Sequence, residues 1–323
     1  MTPPPPSPPF RALTISRRLH TSTYHPTMLW TVVSLLSFAP VMSRSGGGLV
    51  DRLMLQRQQQ QQQQQQERVV DLSHTLGPDT LFWPGFPGFN LTHLVKGNTS
   101  GGFWLEANWI STSEHGGTHL DAPAHFAQGG EHLQDLSVDK FFGPGIVVNA
   151  SGQAAVNPDF QLGVTDLENW EDQNGRISPQ SVVLVNFGWS PRYPDRYRYF
   201  NTLTPDDPGT FHFPGIGLQA LQWLVQQRDT KLIGVDVPSV DHAQAQNFEG
   251  HQFLCAHRIP FVESLTHLDQ LPAQGMTVYA VPLSIVGGSG LPVRAFAVVN
   301  GAEGMRVWNM WCFLLVWVLA KCL

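Results

Sequence analysis

The chain is poor in cysteine, in charge and in long apolar runs, and each shortage removes a class of protein. Only three cysteines occur in 323 residues, and two of them, Cys312 and Cys322, fall in the C-terminal tail, so Cys255 has no disulfide framework to join. A chain of this length builds a core large enough to do without cross-links, so this scarcity decides nothing about compartment. Charged residues make up 14% of the sequence, with a net charge of −6 and no basic run. Nucleic acid is therefore excluded as a partner, because phosphate binding needs clustered lysine and arginine. No G-x-S-x-G segment is present, which removes the elbow-type serine hydrolases.

The two ends differ in composition from the middle. Residues 1–66 begin with the proline-rich run Pro3 to Pro9 and end with nine consecutive glutamines, Gln58 to Gln66. Neither composition buries a core. Between them, the apolar run Met28 to Ala39 and the small residues up to Ser43 read as a secretory signal over 28–43. A mitochondrial presequence competes, because Arg11 to His25 is rich in serine, threonine and arginine and has no acid. Sequons at Asn90, Asn98 and Asn149 favour secretion over mitochondrial or cytoplasmic residence.

At the other end, Val307 to Ala320 is apolar but shorter than the roughly 20 residues of a spanning helix. With the small residues Asn300 to Ala302 upstream, residues 301–323 read as a lipid-anchor signal and a route to membrane attachment, although the polar spacer is short. The folded domain is expected at 67–300.

Within that span, short β-branched runs bounded by turn residues predict strands at 68–72, 103–112, 145–150, 182–187, 231–236, 277–282 and 293–299. Gly217 to Arg228 predicts a helix with Leu218, Leu221, Trp223, Leu224 and Val225 on its apolar face, and 166–172 predicts a second. The pattern is that of an α/β protein. The strand at 231–236 runs into the turn-rich segment Asp236 to His242, the end of a strand where α/β sheets carry ligands. Asp236 and Asp241 there are read with equal weight as turn residues and as groups that orient a metal-bound histidine.

The most informative segment is His115-Gly-Gly-Thr-His119-Leu-Asp121-Ala-Pro-Ala-His125. Its three histidines and one aspartate have the same parity, so an extended strand would place all four on one face. Imidazole nitrogen with carboxylate oxygen is ligand chemistry for zinc, manganese or iron(II). The group predicts a metal hydrolase site. His251 and Glu263, separated by a short helix and the extended Ile259 to Glu263, are within reach of it.

These residues resemble the metal-dependent cyclase family, which includes bacterial-type kynurenine formamidases and isatin hydrolases. The resemblance runs from Val69 to Val299 through Trp83-Pro-Gly, His115 to Phe126, Gly234 to Asp241, Gly250-His251, Glu263 to Asp269 and Pro282-Leu. It implies a single α/β domain with a β-rich core in a swivelling β/β/α arrangement, assembled as a dimer or tetramer. It also implies that His115, His119 and Asp121 hold one ion, zinc or manganese, and that Asp121 bridges to a second held by His251 and Glu263. His125 is then the proton-transfer residue, and Trp83 lies beside an aromatic amide substrate, where an indole face suits a flat ring.

A bound divalent ion lowers the pKa of a water toward ~7, which supplies hydroxide near neutral pH. The leading expectation is an arylformamidase that hydrolyses N-formylkynurenine to kynurenine and formate in tryptophan catabolism. Ring opening of a cyclic amide of the isatin type is the alternative, and a non-catalytic secreted or surface protein with a structural metal site is a third.

Overall fold

The computed structural model describes residues 67–300 apart from Gln246. The expected signal segment, the glutamine run and the C-terminal tail lie outside the described residues. Among the described residues, no helix is long and apolar enough to cross a membrane.

The centre of the domain is built from three apolar segments. Strands β5 (Phe142–Asn149), β7 (Val182–Asn186) and β9 (Leu232–Val235) run parallel to one another, and β10 (Phe261–Glu263) continues the parallel set beside β9. Every residue of β7 and β9 is buried, as befits parallel strands covered on both faces. Antiparallel strands extend the sheet on either side. On one side lie β11 (Gln274–Tyr279), β13 (Phe296–Val299) and β1 (Arg68–Asp71); on the other lie β4 (His119–Asp121) and β12 (Gly290–Pro292). The nine-stranded order is β1-β13-β11-β5-β7-β9-β10-β4-β12.

Alternation along the central strands divides the core in two. Val183, Val185, Ile233 and Val235 belong to one cluster with Leu167 and Trp170 of α2 (Val164–Asn174), Leu221 and Leu224 of α4 (Leu218–Arg228) and Leu254 of α5 (Glu249–Ala256). Val182, Leu184 and Leu232 point to the other face, where the curled antiparallel ends supply Leu120, Met276, Val278 and Ala297. Replacing a fully buried leucine such as Leu221 by alanine is expected to cost about 2–5 kcal/mol. The helices α1 (Ser151–Val156) and α3 (Arg196–Tyr199) are short, and β6 (Gln161–Leu162) and β8 (Gly215–Ile216) pair in parallel outside the main sheet.

The α/β expectation holds, and each of the seven expected strands and both expected helices has a counterpart, with ends shifted by a few residues. Two details differ. The fully buried stripe of α4 is Ala220, Leu221 and Leu224; Trp223 and Val225 are partly buried against the same cluster, and the outer side of Trp223 is covered by the Arg228 guanidinium at 3.8 Å. Arg228 is turned that way because it also pairs with Glu171 of α2 at 2.6 Å. Strand β2 (Asn90–Asn98) has no apolar alternation to mark it, since it pairs only with β3 (Trp104–Ser111) as an exposed two-stranded ribbon. The sequons at Asn90, Asn98 and Asn149 are all exposed.

Candidate metal centre

The register at the sheet's edge assembles the site. On β4, His119 and Asp121 share a face while Leu120 enters the core behind them; β10 lies antiparallel beside it with Glu263 opposite His119. His251 enters from α5 and brings its Nε2 to 3.3 Å from Glu263 Oε1 and 3.7 Å from Asp121 Oδ2. Strand parity explains only two of the four residues in the His115 to His125 segment, because β4 is three residues long. His115 is returned to the site by a turn in which Gly117 has φ +57° and donates to the Leu81 carbonyl at 2.9 Å. Gly116 has no room for a side chain there, since a Cβ would run into the Phe82 ring. His125 arrives through the 3-10 turn Pro123–His125. The four side chains do converge, but by turns on both sides of a short strand.

Asp121 is the hub. Its Oδ1 is 2.7 Å from His115 Nδ1 and 3.3 Å from His119 Nε2, while Oδ2 is buried without a hydrogen-bond partner and faces His125 Nε2 at 3.7 Å. A buried carboxylate oxygen left unpaired is costly, and a cation is the partner that satisfies it along with the surrounding nitrogens. Donor atoms fall within 4.8 Å of one another in two groups, His119–Asp121–Glu263 and His115–Asp121–His125. The second group places His125, expected to move protons, at donor distance beside His115, with the two rings stacked 3.7 Å apart.

Hydrogen bonds on the far side of each ring fix which nitrogen faces the site. His119 Nδ1 donates to the Gly117 carbonyl at 2.9 Å, His251 Nδ1 donates to Asp241 Oδ2 at 2.7 Å, and His115 Nε2 lies 3.0 Å from Ser289 Oγ. The inward nitrogens of His119 and His251, both Nε2, are therefore the ones that can offer lone pairs to a cation, which is how outer partners orient histidine ligands, and His115 turns its Nδ1 to the same point. The residues present fit a divalent ion.

The electrostatics agree. Burial would depress His119 and His251, but for His119 the carboxylates of Asp121 and Glu263 outweigh it and raise the imidazole to about 9. For His251, Glu263 and Asp241 outweigh burial and raise it to about 10. Burial would also raise Asp121, yet His119 and His115 hold it well below the usual carboxylate range. The donors thus demand positive charge at this point, and without an ion protons supply it. His125 behaves oppositely: burial lowers it to about 4 against the pull of Asp121, so it is neutral near pH 7.

A cavity of about 250 Å³ opens onto the donors. Its wall is aromatic, with Phe82, Trp83, Phe86, Phe126, Phe200 and Phe248 among the lining residues. Trp83 meets Phe200, Phe211 and Phe248 edge to face at 6.3, 5.3 and 6.1 Å between ring centroids, which fixes the indole at the cavity wall.

Of the two aspartates left open by the sequence, Asp241 orients His251. Asp236 instead accepts from the backbone N–H groups of Phe187 and Trp189 at 2.8 and 2.7 Å. Ser289, Glu114 and most of the aromatic wall were missed by sequence reasoning. Only Glu114, adjacent to His115, carried any signal; Ser289 lies 174 positions further along the chain.

The cyclase family model matches residues 70–242, so His251 and Glu263 lie beyond the matched part. The isatin hydrolase of Roseibium aggregatum is 31% identical over 248 residues, covering 72% of this chain and 92% of that protein. The kynurenine formamidase of Salinibacter ruber is 29% identical over 230 residues, covering 70% and 95%. Among solved structures, isatin hydrolase A from Ralstonia solanacearum superimposes with a TM-score of 0.66 at 30% identity, over 80% of this chain and 100% of the other. With the family model spanning more than half of its length and a relative above 30% identity matched almost end to end, this chain belongs to the cyclase family.

Proposed function

We propose that the protein is a metal-dependent hydrolase that cleaves the carbon–nitrogen bond of a flat, neutral aromatic amide, with ring opening of an isatin-type cyclic amide as its best-fitting reaction. The observation that carries this reading is the cavity wall: among the described residues, it contains no charged side chain apart from the histidines, Asp121 and Glu263 at its floor. A planar aromatic ring gains contact with Trp83 and its neighbours and needs no ion-pair partner. N-formylkynurenine, in contrast, carries an α-carboxylate and an ammonium group, and burying either without a partner is costly. Formamide hydrolysis is the second reading, favoured by the similarity to the Salinibacter ruber formamidase.

His115, His119, Asp121, His251 and Glu263 would hold one or two ions, and histidine with carboxylate suits zinc and manganese alike. Bound there, a divalent cation would acidify a water and polarise the amide carbonyl. His125 is neutral, half-buried and beside Asp121, so its imidazole accepts the proton released as water adds to the carbonyl carbon. It then delivers that proton to the nitrogen as the C–N bond breaks. The aromatic wall excludes competing water and aligns the ring with Trp83.

The test is a parallel assay of purified protein, loaded with Mn²⁺ or Zn²⁺, on isatin and on N-formylkynurenine. Higher kcat/KM on isatin is expected. Preference for the formamide overturns the ranking, and no turnover of either with metal bound overturns the enzymatic reading in favour of a structural metal site.

A further inference from the structure

We propose that Glu114, Ser289 and Gly290 form a clasp that positions His115 for metal binding. The clasp lies partly outside the residues matched by the family model, in the Gly-Gly-Ser-Gly segment that leads into β12. It rests on the assignment of His115 as a metal donor.

His115 differs from the other two histidines in how its outer nitrogen is held. His119 leans on a backbone carbonyl and His251 on the buried carboxylate of Asp241, whereas His115 Nε2 meets a hydroxyl, Ser289 Oγ, at 3.0 Å. A hydroxyl can donate or accept, so alone it does not choose the ring's tautomer. Glu114 makes the choice. Its Oε2 accepts from Ser289 Oγ at 2.6 Å and from the Ser289 backbone N–H at 3.2 Å, which commits the hydroxyl proton to the carboxylate. Ser289 Oγ is then left as an acceptor for His115 Nε2–H, so that Nδ1, which lies 2.7 Å from Asp121 Oδ1 and shares a proton with it, is the nitrogen freed for an ion when that proton is displaced.

The backbone of the same segment supplies the shape. The Ser289 carbonyl accepts from Ala122 N–H at 2.8 Å, and Gly290 pairs with Asp121 across β12 and β4. A Cβ on Gly290 would collide with His115 Cε1 and stand 2.8 Å from the Leu120 carbonyl oxygen, so the ring packs directly against bare backbone. Because His115 stacks on His125 at 3.7 Å, the clasp also sets the ring against which the proposed proton-transfer residue rests.

The test is titration of metal-free protein with Mn²⁺, followed by the electron paramagnetic resonance of free and bound ion, which reads affinity without reference to any substrate. Ser289→Ala is expected to weaken binding by about 10- to 100-fold, the usual effect of losing an outer partner of a histidine ligand. Ser289→Thr, which keeps the hydroxyl, and Glu114→Gln, which keeps an acceptor, are expected to restore most of it. Affinity of Ser289→Ala within threefold of wild type, or no recovery with threonine, overturns the clasp. Should Ser289→Ala not fold, Glu114→Ala at its part-exposed position replaces it, and unchanged affinity there is equally fatal. Wild-type protein that binds neither Mn²⁺ nor Zn²⁺ overturns the donor assignment itself, a result distinct from unchanged affinity in the variants.

Discussion

Asp241→Asn separates the structural role of one carboxylate from its role in the metal centre. Asp241 accepts three hydrogen bonds: from Gly250 N–H at 2.7 Å, from His251 N–H at 3.0 Å and from His251 Nδ1 at 2.7 Å. The first two belong to the opening turn of α5, whose own N-cap residue, Phe248, offers no side-chain bond. Asp241 therefore caps this helix from a distance, a service worth about 1 kcal/mol. Alanine would remove the cap and strand buried donors at about 1–3 kcal/mol each, for a total of roughly 3–5 kcal/mol given that such costs do not add fully.

Asparagine has nearly the same shape, and its oxygen still serves one backbone donor. Its amide N–H₂, however, replaces the oxygen that receives His251 Nδ1–H. The imidazole then turns to the other tautomer, with a proton on Nε2 facing Glu263 Oε1 at 3.3 Å and no lone pair left for a cation. Asp241→Asn is expected to lower divalent-ion affinity by about 10- to 100-fold while costing only about 1–2 kcal/mol in stability. Isothermal titration of metal-free protein with Zn²⁺, with urea denaturation alongside, measures both. Unchanged affinity in Asp241→Asn would refute the tautomer argument, and a loss of affinity no greater than the loss of folded fraction would refute the separation of roles.

Three further outcomes are expected. His125→Ala should retain its metal, measured by elemental analysis, and lose turnover by about 100-fold or more, the size of a general acid–base contribution; surviving turnover contradicts the role given to His125. Trp83→Ala should raise KM by about 5-fold with a smaller effect on kcat, since each aromatic contact is worth about 0.5–1.5 kcal/mol; a change confined to kcat contradicts a ring-binding role. In metal-free protein, His119 and His251 are raised to about 9 and about 10, above the ordinary 6.5, so the stability they add is complete below pH 6.5 and is lost as pH climbs through 9 to 10. Denaturation midpoints measured from pH 7 to 10.5 should fall without metal and stay level with it, because the cation then replaces the protons; equal slopes contradict this account.

The central strands were legible because burial on both faces leaves runs with no polar residue, as in Val182 to Val185 and Leu232 to Val235. β2 was not, because a ribbon exposed on both faces needs no apolar alternation. Trp223 was read correctly as facing the core, against which it is partly buried, but its second cover, the Arg228 guanidinium, was not foreseen.

The same contrast between local and distant causes runs through the site. The donors were visible because ligand chemistry restricts residue type, and the His115 to His125 segment concentrates those types. Their convergence was expected for a wrong reason, strand parity, when the cause is a positive-φ glycine on one side and a 3-10 turn on the other. Apart from Asp241, which the turn-rich end of its strand left as an open candidate, the partners that decide which nitrogen each ring presents were invisible. Gly117 acts on His119 through its backbone carbonyl and Ser289 lies 174 residues from His115, and neither carries a local pattern. A serine in a glycine-rich loop reads as a turn until the register of β12 against β4 sets it beside an imidazole. The identity of the donors is thus written locally, whereas their tautomers are written in the topology of the sheet, so two chains with the same histidine motif and different outer partners are expected to differ in metal affinity before they differ in chemistry.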